Sequence, residues 1–578
     1  MELTQNGGGL RLAADAYTLS FATDRPFAYL DDVQGARLAE LFVLSGVTPQ
    51  GGGDDTVSVG AWQISQTPDE VVFTLAARSS AWAEKLIRFR CQPRRLIYEV
   101  EVAGTGQISE VSYFGGYYSG QVRWGSGFFW SGQRFQHGFN PEPITDEINH
   151  FPAGEGSTID LMGVPLPGKG DWFFTPPPFC YSFQGPNGWL SLGVQAAPGA
   201  NTFTEYRYHG QRDSFYVSLH FEGHTRVAGR YTLPGLVFDF GPDEYAVLAA
   251  YVLSLHAAGS LPRPHLRPAA TWWHEPIVCG WGVQCYHAAM EGGPAPSFAR
   301  QALYEAFLKT LEENQVSPGI VVLDDKWQAT YGDNAVDEAK WPSLRGFIDA
   351  QHAAGRKVLL WLKAWDPEGV PATECITNAA GLPLAVDPNN IAYEKRLRES
   401  IQRMLGPEGY DADGFKLDFT ARIPSGPGLH TAGNAWGLEL MKRYLGQIYS
   451  EAKLVKPEAL VMTHTPNPYL ADVLDMIRLN DINMHKDVAQ AMRHRARVAR
   501  IACPGALIDT DQWPITNKAD WRTYTSLQPD LGVPSLYYAS HIDATREPLD
   551  ADDYALLRAS WARYREAQAK RLGPSGSG

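Results

Sequence analysis

The feature that most constrains this chain is a change of rhythm near residue 270. Beyond it, short apolar runs alternate with segments of helical periodicity, and the runs number eight: 277–280, 319–324, 357–363, 414–419, 459–465, 476–481, 505–511 and 533–540. Helical patterns follow most of them, most clearly at 296–313, 342–354, 391–405, 435–454, 486–501 and 552–571. A strand buried on both faces reads as a continuous apolar run, and a helical crossover lets the next strand lie parallel to it. Eight such units in roughly 300 residues predict a (β/α)8 TIM barrel.

The preceding sequence has a different grammar. Short alternating segments such as 69–75, 96–102, 188–194 and 214–221 are separated by Gly, Pro, Asp and Asn turns, the pattern of a β-sandwich. The expected organisation is a β-sandwich over 1–258, a Pro/His/Arg-rich linker over 259–270, a catalytic barrel over 271–572 and a flexible tail over 573–578. The aromatic stretch 113–139, with Trp124, Phe128, Phe129 and Trp130, reads as sandwich core or as a rim of the barrel mouth. The basic run from Arg493 to Arg500 reads as a solvated or sheet-packing helix face.

Composition narrows the partners. Fifty Lys and Arg against 64 Asp and Glu leave a net charge of −14, which removes the electrostatic drive for nucleic acid or an anionic membrane. No run reaches the ~18 apolar residues of a membrane span, and the N-terminus has no basic start or apolar core, so a cytoplasmic protein is expected. The six cysteines contain no CxxC, which argues against structural zinc and against a disulfide framework. No metal or cofactor is expected, and homo-oligomerisation is left open.

In such a barrel the active site lies at the C-terminal ends of the strands. The second run ends in Asp324-Asp325, the fourth in Lys416-Leu417-Asp418, the fifth near His464, the sixth in Arg478-Leu479-Asn480-Asp481 and the seventh in Asp509-Thr510-Asp511. The first leads into Trp281, Tyr286 and His287, and the third carries Trp361, Lys363 and Trp365. One terminal Asp is ordinarily the N-cap of the next helix. Carboxylates at four of eight strand ends, with Lys and Arg among them, strain that explanation and suit recognition of a neutral polyol. Glycoside chemistry needs two carboxyl groups flanking the anomeric carbon, and Asp418 and Asp481 are the natural pair. Lys416 shares a strand face with Asp418 and favours its ionised form.

At this point the barrel half resembles the retaining α-galactosidases of glycoside hydrolase family 36, in the clan shared with families 27 and 31. Trp281-Gly282-Val283-Gln284-Cys285-Tyr286-His287 looks like the family's segment after the first strand. Val322-Leu323-Asp324-Asp325-Lys326-Trp327-Gln328, then Tyr331-Gly332-Asp333 and Trp341-Pro342-Ser343-Leu344, are similar to its Asp-Asp-Gly-Trp region. Asp413-Gly414-Phe415-Lys416-Leu417-Asp418-Phe419 resembles the nucleophile strand, and Asp475-Met476-Ile477-Arg478-Leu479-Asn480-Asp481 the acid/base strand, 63 residues apart from Asp418 to Asp481. Asp509-Thr510-Asp511 stands where the family has Asn-Asp-Pro-Asp, Leu360–Trp365 has no match, and the family's C-terminal β domain has no counterpart.

The resemblance implies a retaining α-glycoside hydrolase of α-galactosidase type, with Asp418 as nucleophile and Asp481 as acid/base. It also implies substrate contacts from Asp324, Asp325, Lys416 and Arg478, and apolar sugar contacts from Trp281, Trp361 or Trp365. Tyr286, Lys363, Asp511 and His464 complete the candidate substrate-binding set, and an α-linked saccharide or glycoside is the expected partner. Alternatives are an α-transglycosylase on the same scaffold, a Schiff-base lyase or aldolase using Lys416 or Lys363, and a non-catalytic sugar-binding barrel.

Overall fold

The computed structural model describes residues 1–578 apart from 7–8, 120–121, 128–133, 137–150, 153–157, 161–178, 212–213, 263–268, 421, 465, 480–486 and 573–578. The N-terminal half is a β-sandwich and the C-terminal half a parallel (β/α)8 barrel, as the two rhythms predict.

Two long strands, Arg95–Tyr113 and Ser214–Thr232, pair antiparallel and form the spine of the sandwich. Glu84–Gln92 pairs with the first of them in strict alternation of buried and half-buried residues, the mark of a strand with one covered face. Aromatic rings fill the interior: Phe89 lies 5.0 Å and Phe114 4.3 Å from the ring of Tyr98. Trp124 is 40 % exposed and stacks on Phe42, whereas Phe128, Phe129 and Trp130 lie outside the described residues.

The region is not wholly β. Helix Glu244–Ala257 packs on the sandwich, capped by the Asp243 carboxylate, which accepts from the N–H groups of Tyr245 and Ala246. Its sequence, EYAVLAAYVLSLHA, is apolar almost all round, so helical periodicity is silent. The Gly-Pro-Asp before it is the signal that marks its start.

The barrel strands are β1 (Ile277–Cys279), β2 (Ile320–Leu323), β3 (Lys357–Lys363), β4 (Gly414–Asp418), β5 (Leu460–Thr463), β6 (Met476–Arg478), β7 (Leu507–Asp509) and β8 (Ser535–Leu536). Each falls inside one of the eight apolar runs. Neighbours pair in parallel from β1 to β7, and β8 pairs with β1 through Ile277 and Ser535. Between β7 and β8 the ring is closed by one parallel bridge, Asp509 to Val533.

Helices Trp281–Glu291 and Lys518–Leu531, which the helical pattern does not single out, stand beside the six that it does. The basic helix Val488–Ala502 is less solvated than its composition suggests. Arg495 is buried with Nη1 donating to the Leu479 carbonyl, Arg497 lies over the Tyr245 ring, and His494 is 2.7 Å from the Tyr245 hydroxyl. Arg497 and His494 dock the barrel onto the sandwich helix through Tyr245. One connected apolar core runs through both halves, from Leu10 to Tyr564. No described helix is long and apolar enough to cross a membrane.

Candidate active site

The floor of the site is a buried cluster at the ends of β1, β2 and β4. Lys416 and Asp324, each 2 % exposed, are paired at 2.5 Å from Nζ to Oδ2. The Cys279 thiol donates to the same oxygen at 2.9 Å, and the Asp325 N–H donates to Oδ1 at 2.8 Å. Burial and the Asp324 charge raise the Cys279 thiol well above its ordinary range, which keeps it a donor. Burial and Arg478 disfavour the Lys416 ammonium, but Asp324, Cys279 and Asp418 outweigh them and raise its pKa.

The backbone that carries the Asp pair is pinned from behind. The Asp324 N–H donates to the Tyr304 hydroxyl at 2.8 Å, and that hydroxyl donates to Gln284 Oε1 at 2.9 Å. The Gln284 amide in turn donates to the Asp325 carbonyl at 3.2 Å. Gly280, at the turn from β1 into its helix, makes room for this relay: a Cβ there would lie 2.0 Å from the Tyr304 hydroxyl oxygen.

Asp418 ends β4 with its side chain 14 % exposed. Oδ2 accepts from the Trp361 indole at 2.9 Å and lies 3.6 Å from Arg478 Nη1. Oδ1 accepts from the Phe419 N–H at 2.8 Å and is 2.7 Å from His464 Nε2. Burial opposes ionisation, but the His464 ring, the Arg478 guanidinium and the Lys416 ammonium hold the carboxyl well below the usual carboxylate range.

His464 itself is lowered to about 4 by burial and by Arg478, so it is neutral at pH 7. Its Nε2 also lies 2.8 Å from Arg478 Nη1. One nitrogen cannot donate to Asp418 and accept from Arg478 at once, and the carboxylate favours the Nε2–H tautomer. Arg478 is fixed instead by Asp511, whose Oδ2 accepts from Nε at 3.1 Å and from Nη2 at 2.7 Å. Beneath it, Asp509 is raised to about 6 by burial and by the Asp511 charge.

Asp325 occupies the rim. Tyr331 donates its hydroxyl to Oδ1 at 2.8 Å, and Oδ2 has no hydrogen-bond partner among the described residues. Burial, with the Asp324 and Asp418 charges, raises this carboxyl to about 7 against the pull of Tyr331 and Lys363. The Lys363 ammonium lies 4.2 Å from the Tyr331 ring centre and pairs with Asp366 at 2.9 Å. Lys363 is also the register partner of Asp418 across β3 and β4.

Asp324, Lys416, Asp418, Arg478, His464, Asp511 and Trp361 thus form one network, joined through Tyr331 to Asp325 and Lys363. Trp361 is 1 % exposed, so it bonds Asp418 and offers no open ring face. Trp365 lies apart: it adopts φ +69°, is fully buried, and donates its indole N–H to the Thr420 carbonyl. Trp281 and Tyr286 are half-buried on the helix after β1, packed edge-on to Trp513 and stacked on His541 respectively. Asp481, the expected acid/base, lies outside the described residues. Cys279 is a site residue that residue patterns do not single out, and Tyr331 is one that lies in a matched segment, Tyr331-Gly332-Asp333, without a role assigned to it. Among the described residues, Asp349, His352 and Asp411 bring two carboxylates and an imidazole together at the opposite barrel end, where Lys456 pairs with Asp411 at 2.8 Å.

No family model and no curated protein matches the sequence. The fold does match solved structures, and they define its class: a β-sandwich followed by the barrel shared by glycoside hydrolases of families 31 and 36. A family 31 sulfoquinovosidase from E. rectale, solved with an aza-sugar inhibitor, superposes on 99 % of this chain and 84 % of its own, with 12 % identity and a TM-score of 0.60. A family 36 α-galactosidase from Geobacillus stearothermophilus superposes over 99 % and 87 %, with 12 % identity and a TM-score of 0.54. The cycloalternan-forming enzyme of Listeria monocytogenes, solved with a pentasaccharide substrate, has the same identity and TM-score, and this chain spans 56 % of it. Because both families are represented, the fold does not single out family 36.

Proposed function

We propose that the chain is a retaining α-glycoside hydrolase of α-galactosidase type, with Asp418 as nucleophile. The observation that carries this reading is the state of Asp418: an ionised carboxylate at the end of β4, oriented by the Trp361 indole and the His464 ring and faced by two buried cations. A nucleophilic carboxylate needs that state before substrate arrives.

Asp418 attacks the anomeric carbon, the aglycone oxygen leaves with a proton from Asp481, and Asp481 then deprotonates the water that releases the sugar with its α configuration. Asp325, whose Oδ2 has no hydrogen-bond partner among the described residues, and Lys363 bind sugar hydroxyls at the rim. Asp324 and Lys416 neutralise one another on the floor and support Asp325 and Asp418 from below. Trp281 and Tyr286 flank the mouth on the β1 side, and Trp365 serves packing. A Schiff base at Lys416 fits poorly, because that amine is buried, ion-paired and held protonated.

The test is hydrolysis of a panel of aryl α-glycosides, with and without an acceptor sugar, read by NMR. First-formed α product, abolished in Asp418→Asn and Asp481→Asn, supports the reading. First-formed β product, or turnover that survives in both variants, overturns it, and sugar–sugar product in the acceptor arm identifies transfer rather than hydrolysis.

A further inference from the structure

The spine strand Ser214–Thr232 is interrupted at one place, and the interruption points at the barrel. In its pairing with Arg95–Tyr113, His220 faces Glu110 and Thr225 faces Ile108, so Phe221–His224 stand against the single residue Ser109. This enlarged bulge places Glu222 at φ +56° and Gly223 at φ +85°. Glu222 is not glycine, so that backbone costs strain, and bulges and strained residues concentrate beside functional sites.

The bulge lands on the loop that follows Asp418. Glu222 Oε1 accepts from the Ser425 hydroxyl at 2.6 Å, and Oε2 from the Trp436 indole at 3.2 Å. His224 stacks on the Trp436 ring, with centres 3.6 Å apart, and its Nε2 lies 3.2 Å from the Gly426 carbonyl oxygen. Burial lowers the pKa of His224, consistent with a neutral ring donating to that carbonyl. The middle of the loop is held from the barrel itself, where Asp387 accepts from the Ala432 N–H and the Thr431 hydroxyl. The Ser425–Gly426 arm and the Trp436 side chain are held by side chains of the sandwich, while Asn389 of the barrel donates to the neighbouring Ala435 carbonyl at 3.0 Å. In a barrel this loop is a wall of the active-site mouth.

We infer that Glu222 and His224 are positioning residues of the active site, holding the 422–436 loop where it shapes substrate binding. The kinetic part of this inference rests on the Asp418 reading; the structural part does not. Hydrogen exchange of peptides covering 422–436 is therefore compared in the wild type, Glu222→Ala and His224→Ala, at temperatures where all three are folded. Exchange in that loop rises about tenfold in both variants, with the barrel strands unchanged. Exchange equal to wild type overturns the inference whatever the protein's activity.

On an aryl α-glycoside, both alanine variants raise KM about fivefold and leave kcat within about twofold. Glu222→Gln, which keeps one acceptor oxygen, recovers part of the loss. Unchanged KM in a variant with a loosened loop also overturns the inference, as does a loss confined to kcat. A wild type without hydrolysis refutes the Asp418 reading, and the exchange result then decides the loop claim alone.

Discussion

Asp418, at the end of β4, and Asp325, just after β2, are tuned in opposite directions: burial, with the Asp324 and Asp418 charges, raises Asp325, whereas the donors and cations around Asp418 outweigh its burial and lower it. Replacing Asp418 by Asn keeps the shape and removes the charge. On the proposed mechanism kcat falls by about 10³-fold or more, measured on an aryl α-glycoside. Trp361→Phe removes a single charge-assisted hydrogen bond, worth ~1.5–3 kcal/mol, so kcat/KM falls roughly ten- to a hundredfold with the fold intact. Asp325 offers a prediction about stability. Its carboxyl holds a proton up to about pH 7 in the folded protein but loses it near pH 4 when unfolded. The folded state therefore carries the extra proton between those values, and this group's contribution to stability falls as pH rises through that window. Asp325→Asn does not titrate, so its Tm relative to wild type climbs from pH 4 to pH 8. A pH-independent difference in Tm would contradict the assignment.

At the scale of elements, the eight strands were legible because each is buried on both faces and so appears as an apolar run that no surface helix imitates. Their polar ends were legible for the complementary reason that an Asp after such a run has few places to go. What alternation could not show is where a strand stops. Trp361, Lys363 and Trp365 share a face on paper, but β3 ends at Lys363 and Trp365 turns away at φ +69°. Cys279 was hidden because a cysteine inside an apolar run is indistinguishable from core until its neighbours are known, and the Glu222 bulge because it arises from pairing with a distant strand. The turn after β1 depends on a missing side chain. Gly280→Ala drives a methyl group into the Tyr304 hydroxyl that anchors the Asp324 N–H, an overpacking cost of about 1–3 kcal/mol. The expected result is a lower Tm together with reduced kcat/KM, since the same relay sets the Asp pair; a variant with wild-type Tm and kinetics removes the relay from the account.

At the scale of the molecule, the two rhythms of the sequence suggest two separable bodies, and the contacts between them argue otherwise. Helix Gly437–Val455 begins against the sandwich: the Leu438 and Glu439 N–H groups donate to the Phe203 and Asn201 carbonyls at 3.3 and 3.1 Å, and the Asn201 N–H donates back to Glu439 Oε1 at 2.9 Å. The first-turn donors that a helix cannot satisfy internally are thus satisfied by the other half of the chain. Gly437, at φ +57°, permits this approach, since a Cβ there would lie 2.1 Å from the Phe203 carbonyl oxygen. A second seam joins Leu248, Tyr251, Val252 and Leu255 of the sandwich helix to Val498 of the barrel. Cutting the chain at the linker would expose that seam and leave the helix after the β4 loop uncapped. The full chain is therefore expected to melt in one calorimetric transition. A fragment covering 271–578 alone should be insoluble or melt more than about 10 °C lower, with recovery when 1–262 is supplied as a second chain. A barrel fragment with the full chain's Tm and kinetics would show instead that the sandwich is a passenger, and the capping contacts would then have no energetic consequence.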